Sequence, residues 1–336
     1  MNLQSIGDLA QTFKLRQQNV FLKQQMARLT DELASGRTAN LTQQLAGSFG
    51  HIADIEHDLV VLQSYQASAK DAATSTAAMQ AALDTVQSLA GDLGQTASIA
   101  GVTTGPAIVD SVAVQGRGTL ETVISAFNTG VGGRALFSGT EIETAPLASA
   151  DTLLNEVRLA LAGALTASDV IADLDTFFDT PGGGFETLIY QGGTAFLSPY
   201  QLGEGESVKL ELRADDTAVR NVLKNTVMAA LADDATLPLN SGDRVELAKQ
   251  SGIRLLTSQD ELVGIRSSLG FAESRIEQAA ARISSETSSL EMARTNLLSI
   301  DKFQTATELE QVQIQLETLY TITARASRFS LVNFLS

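Results

Sequence analysis

Between Leu255 and Leu297 an aliphatic residue recurs at every seventh position: Leu255, Leu262, Leu269, Ile276, Ile283, Leu290 and Leu297. A companion row runs three residues behind, Ser258, Ile265, Ala272, Ala279, Glu286, Ala293 and Ile300, and is polar only at Ser258 and Glu286. Paired rows at this spacing form the seam of a long helix that must bury one stripe against another helix. The matching stripe lies near the other end of the chain. Leu45, Ile52 and Leu59 are spaced by seven, with Ile55, Leu62 and Ala69 beside them; the phase then drifts, and Met79, Val86 and Leu93 continue with Leu83 and Ala90. These rows predict a helix over about 43–95, roughly 80 Å long at 1.5 Å per residue. A third helix is predicted from Pro106 to about Asn128, since proline suits the first helical position and Thr104 or Gly105 can cap it.

Both extremities carry shorter stripes of their own. Leu15, Leu22 and Leu29, with Met26 and Leu33, mark one near the start; Leu309, Val312, Leu316, Leu319, Thr323 and Ala326 mark one near the end. The segments ASGRTANLT (34–42) and SIDKFQTAT break the phase between these stripes and the long seams. The centre has another texture. Helices are predicted near 150–162, 168–178 and 216–232, and FETLIYQ, TAFLSPYQL and SVKLELRA read as strands parted by GG and GEGE. The expected fold is therefore mainly α: a long antiparallel coiled-coil rod built from the N- and C-terminal segments, with a small central α+β insertion. Its expected divisions are 1–42 with 301–336, 43–140 with 242–300, and 141–241.

Composition narrows the function. Hydrophobic residues make up 44% of the 336, enough for a packed core, while aromatic residues are only 5%. A net charge of −16 without any basic run argues against nucleic acid and against an anionic membrane surface. There is no cysteine, so disulfide and thiolate chemistry are excluded. No window is apolar for long enough to span a membrane, and MNLQSIGDLAQTFKLRQQ lacks the basic and apolar regions of a cleaved signal peptide.

Candidate chemistry is sparse. In NTGVGGRALFSGTE (128–141), Gly130, Gly132 and Ala135 fit G-x-G-x-x-A, and Asp151 lies at the distance of a ribose-binding acid. A dinucleotide loop must follow a strand and open a helix. Here Leu120, Val123, Ile124 and Phe127 continue a helix into the loop, and Gly139 and Pro146 prevent a helix from starting after it. Gly130 is instead expected in the left-handed position after a helix, Gly132 and Gly133 at a turn, and RALFS as a short strand. His51 and His57 are six residues apart, a spacing that puts them on different faces of one helix and fits no metal motif. Asp215–Asp216 and Asp233–Asp234 fall at helix ends, where Asp216 can serve as an N-cap. No catalytic residue, cofactor or metal is expected.

Three stretches together are similar to the bacterial flagellin family, most closely to its hook-associated members. ARLTDELASGRTAN (27–40) resembles the family's L-x-x-x-L-x-S-G boundary, GGRALFSGTE (132–141) its G-x-x-L-F-S-G-T stretch, and ELEQVQIQLETLYTITARASRFSLVNFL (308–335) its last helix with the closing S-L-x-N-[FY]-L. The likeness spans roughly 1–140 and 245–336. Residues 38–50 lack the D-D-A-A-G run common in flagellins, which favours the hook-associated branch over the filament subunit.

The resemblance implies a non-enzymatic structural subunit, placed at the hook–filament junction outside the cell. It implies self-association in a ring or tube, contacts with hook-associated proteins and flagellin, a flagellar export chaperone, and passage unfolded through the flagellar type III channel. Assembly is expected to run through Leu15, Leu22, Met26, Leu29, Leu33, Leu309, Val312, Leu316, Leu319, Phe334 and Leu335. The stripes on 15–33 and 309–326 are expected to stay open in a single chain and to be completed by neighbouring subunits, leaving a monomer ordered from about Leu45 to Leu297. The filament flagellin and, in another class, a coiled-coil adaptor or signalling rod are the alternatives.

Overall fold

The computed structural model describes residues 3–45, 47, 49–101 and 106–335, with side chains described outside 3–9, 43, 101, 106 and 326–335. Helices dominate: α1 (Leu3–Ser35), α2 (Leu41–Gln44), α3 (Gly50–Ser98), α4 (Pro106–Phe127), α5 (Ala150–Ala160), α6 (Ala167–Asp179), α7 (Thr217–Ala230), α8 (Ser241–Leu298) and α9 (Lys302–Leu335). Strands among the described residues are confined to two hairpins, β1 (Gly130–Val131) with β2 (Arg134–Ala135) and β3 (Tyr200–Gly203) with β4 (Glu206–Val208). The chain divides into two compact units, Met1–Leu62 with Ser285–Ser336, and Gln63–Ser284.

In the unit Gln63–Ser284, α3 and α8 run antiparallel. Gln80 donates to the Arg266 carbonyl at 3.0 Å, the Arg266 guanidinium reaches Gln87 and Asp84, and Gly252 lies against Ala97 and Ser98. The heptad rows face inward as their spacing requires: Met79, Val86, Leu93, Leu255, Leu262 and Leu269 join one core. That core continues without a break through α4, α5, α6 and α7. Helix α7 is buried on nearly every side. Its Ala229 and Ala230 backbone crosses α4 at Gly116, where a β-carbon would come within 2.7 Å of the Ala230 nitrogen. The polar Ser258 in the seam meets Asn225 of α7 at 3.3 Å. Lys224, also buried, reaches out of α7 to Asp175 at 2.8 Å and Asp179 at 2.5 Å, so its charge is paired where it leaves water.

Local chemistry sets the helix starts. Ser149 caps α5 by accepting from the Thr152 amide, Thr166 and Asp169 form a reciprocal capping box on α6, and Asp216 caps α7 through the Ala218 amide. Hydrogen bonds from Thr166, and from the Leu165 and Thr166 amides, hold the Asp169 carboxyl below its usual pKa.

The centre departs from expectation in three places. FETLIYQ is not a strand: Phe185–Ile189 form a π-helical turn, with Phe185 and Ile189 buried and the three residues between them exposed. Only Tyr190 pairs, as an isolated bridge to Leu147. Of TAFLSPYQL and SVKLELRA, only the parts nearest the GEGE turn pair as strands. Gly130 is not left-handed; it belongs to β1, opposite Ala135. Gly132 and Gly133, with φ of 59° and 80°, make the two-residue turn between β1 and β2, where both central residues need positive φ. RALFS does begin as a strand, at Arg134–Ala135. Beyond it Phe137 enters the core edge-on to Phe127, with ring centroids 5.2 Å apart.

Candidate assembly site on the terminal helices

The unit Met1–Leu62 with Ser285–Ser336 is organised by a helical pair. Helix α1 ends at Gly36, whose φ of +69° places it in the left-handed position while its N–H donates to the Glu32 carbonyl at 2.8 Å. The chain then meets the end of α8 as a small antiparallel clasp. Thr38 N–H donates to Leu298 O at 2.9 Å, Ile300 N–H donates to Gly36 O at 3.2 Å, and Arg37 bridges Ser299. Glu32 is 4% exposed, and its carboxylate accepts from the Arg28 guanidinium at 3.0 Å and from the Ala39 amide at 2.9 Å. A buried carboxylate needs such partners, and the Ala39 amide ties the connector to α1. Across the clasp Asp301 starts α9, accepting from the amides of Phe303 and Gln304 at 2.9 and 3.1 Å.

From this clasp α1 and α9 run antiparallel. Gly36 lies beside Lys302, and farther along Tyr320 bonds to Asn19 and Lys23. The hydrogen bonds from Asn19 and then Lys23 hold the Tyr320 phenol below its usual pKa. Leu22, Leu29, Val312, Leu316 and Leu319 form the core of the pair, each at most 5% exposed, with Leu15, Met26 and Leu309 packed around it. Leu33 is half-buried beyond this cluster. Phe334 and Leu335 belong to α9, but their side chains lie outside the described residues.

This corrects one expectation. The two terminal stripes are not left open within a single chain; they cover each other, because both are long enough to pair over several turns. What stays uncovered is a second set of apolar side chains on the same two helices. Phe13, Val20 and Phe21 on α1, and Ile314 and Ile322 on α9, are between 47% and 70% exposed, and Phe303 is 85% exposed. These residues escape the heptad reading because they lie off its rows. Asp301 is legible: Asp301 and Gln304 have the spacing of a capping box.

The other candidates stay apart from this pair's core. His51 and His57 are exposed on α3, and Asp151 is exposed in the first turn of α5. Among the described residues no group of acidic, histidine or cysteine side chains could hold a metal ion, and no helix is long and apolar enough to cross a membrane.

Helix α9 and the part of α8 from Thr257 onward carry the decisive likeness. Residues 257–335 match the model of the bacterial flagellin C-terminal helical region. No curated protein sequence matches the chain. Among solved structures, Bacillus cereus FlgL superposes with a TM-score of 0.52 at 17% identity, over 72% of this chain and 100% of that one. A putative flagellar hook-associated protein from Vibrio parahaemolyticus gives 0.47 at 11% identity, over 73% of this chain and 95% of that one. The first shows a shared fold.

Proposed function

We propose that this chain is a structural subunit of the bacterial flagellum that joins hook to filament, with no catalytic role. The observation that carries the reading is the α1–α9 pair, whose second helix lies in the flagellin-like C-terminal region: the pair is closed on one face by Leu22, Leu29, Val312, Leu316 and Leu319 and apolar on its outer surface. The fold shared with Bacillus cereus FlgL points to the hook-associated branch.

In this reading the inner stripes, Leu15 to Leu33 and Leu309 to Leu319, hold the pair in shape, while Phe13, Val20, Phe21, Ile314 and Ile322 meet neighbouring subunits. Removing such side chains from water in an interface is worth about 1.5–3 kcal/mol each when burial is complete. The terminal helices form the inner layer of a ring or tube, α3, α4 and α8 the layer around it, and 141–241 the outward part. Hook-associated proteins and flagellin are the neighbours. The subunit leaves the cell through the flagellar type III channel with an export chaperone.

Imaging flagella from a strain lacking the gene tests the reading. Cells should carry hooks without filaments and shed flagellin into the medium. Normal filaments would refute it; hooks without shed flagellin would instead identify the chain as the filament subunit.

A further inference from the structure

Beyond the terminal pair, a trough of about 610 Å³ opens in the unit Gln63–Ser284, between the segment that continues β4 and the 261–272 stretch of α8. Strand β4 stops pairing at Val208, yet burial goes on alternating after it: Leu210 and Leu212 are buried, Lys209 and Glu211 exposed. Among the described residues, the main-chain groups of Lys209, Leu210, Glu211 and Leu212 have no main-chain partner; the next ladder-like bond is Ala214 N–H to Phe137 O at 2.9 Å. Polar main-chain groups almost always find partners, so these are left to water or an added chain, alternate residues offering theirs at each edge of the extended segment.

The floor suits an added strand. Ile265 and Ala272, both half-buried, supply apolar surface, and Gly264 leaves it low, since a β-carbon there would touch nothing within 4 Å. The rim is acidic. Glu211, Asp216 and Glu261 face one lysine, Lys209, whose ammonium lies 3.9 Å from Glu211.

We infer that this trough is a docking site for an extended, basic segment of a partner protein, which adds as a strand beside residues 209–212 and rests alternate apolar side chains on α8. Main-chain pairing supplies affinity in such an arrangement, and the acidic rim selects lysine or arginine at the outward positions. The site does not depend on the flagellar reading.

The test uses the full chain and three capped, fluorescent heptapeptides: alternating valine and lysine, alternating valine and glutamate, and the lysine peptide with alternate amides N-methylated. Fluorescence anisotropy should show saturable binding of the lysine peptide, with slowed amide exchange at 209–212. Binding of the other two peptides should be at least about tenfold weaker, the size of one lost charged or main-chain contact. Gly264→Leu, whose β-carbon has open space and which replaces a helical glycine, should raise the floor and abolish binding while the protein stays folded. Absence of saturable binding by the lysine peptide would overturn the inference. So would equal binding of the N-methylated peptide, which would reduce the effect to bulk charge attraction, or unchanged binding by Gly264→Leu.

Discussion

Gly252 of α8 faces Ser98 of α3 so closely that a β-carbon at position 252 would lie 2.3 Å from the Ser98 nitrogen. Gly94 of α3, one turn earlier, meets Leu255 and Leu256 at 3.1–3.3 Å by the same measure. The two long helices thus touch backbone to backbone at this level, and the contact depends on the missing side chain. Gly252→Ala should destabilise the unit by about 1–3 kcal/mol, the usual cost of overpacking. Gly264→Ala, on the same helix with open space around it, should be neutral or stabilising by up to about 1 kcal/mol. Equal melting temperatures for the two variants would contradict the close crossing.

Positions 316 and 314 on α9 separate folding of the terminal pair from its outward contacts. Leu316 is 5% exposed and Ile314 57% exposed. Leu316→Ala should cost about 2–5 kcal/mol of pair stability, read as lost helicity and faster proteolysis of both ends. Ile314→Asp should leave helicity and protease resistance unchanged and still block incorporation into flagella. A Leu316→Ala protein whose ends resist protease as the parent does would show that the pair is not held by this core.

Gly139 has a φ of +59°, and a β-carbon there would fall 2.4 Å from the Ala195 carbonyl oxygen. Gly132 also has positive φ but looks onto open space. Gly132→Ala should therefore cost only the conformational term of about 1–2 kcal/mol, while Gly139→Ala should cost clearly more, because the 138–140 segment must also give up its bonds to Gly193 and Ala195. Thermal melts of the two variants, compared with the parent, decide it.

Burial pushes the Tyr190 phenol up to about 12, with the nearby Asp215 carboxylate adding to the effect and Arg213 opposing it. Its hydroxyl donates to the Gly193 carbonyl at 2.9 Å, a bond available only to the neutral form. Above pH about 10 the unfolded chain gives up this proton and the folded chain keeps it, so stability contributed by Tyr190 is complete below that pH and falls as pH rises toward 12. Denaturant midpoints of the parent should decline across this window more steeply than those of Tyr190→Phe. Parallel declines would show that Tyr190 does not titrate differently on folding.

The long helices are legible because their burial keeps one period: Leu255, Leu262, Leu269, Ile276 and Ile283 are all buried, as the seven-residue row requires. Helix α4 begins at Pro106 and α7 is capped by Asp216, both local signals. The π-helical turn at 185–189 is hidden because its residues favour strands, while the burial of Phe185 and Ile189 keeps a helical interval that five residues cannot reveal. Gly94, Gly116 and Gly252 read as weak points in a helix until a neighbouring backbone is seen against them. For the terminal pair, both stripes are visible, but a stripe does not name its partner. The outer set of Phe13, Val20, Phe21, Ile314 and Ile322 lies off the buried heptad rows of both helices, so only the exposed surface shows it.

The clasp and the pair beyond it join the first helix to the last. Leu22 and Leu316 share a core although almost the whole chain lies between them. Contacts this distant in sequence are the slowest to form, because the intervening chain must first be drawn together. Under the proposed export through a channel, N-terminus first, α1 has no inner partner until α9 has come out as well. The pair then acts as a record of complete delivery: the last element to arrive closes the first, and a truncated copy is left with its apolar stripe unsealed.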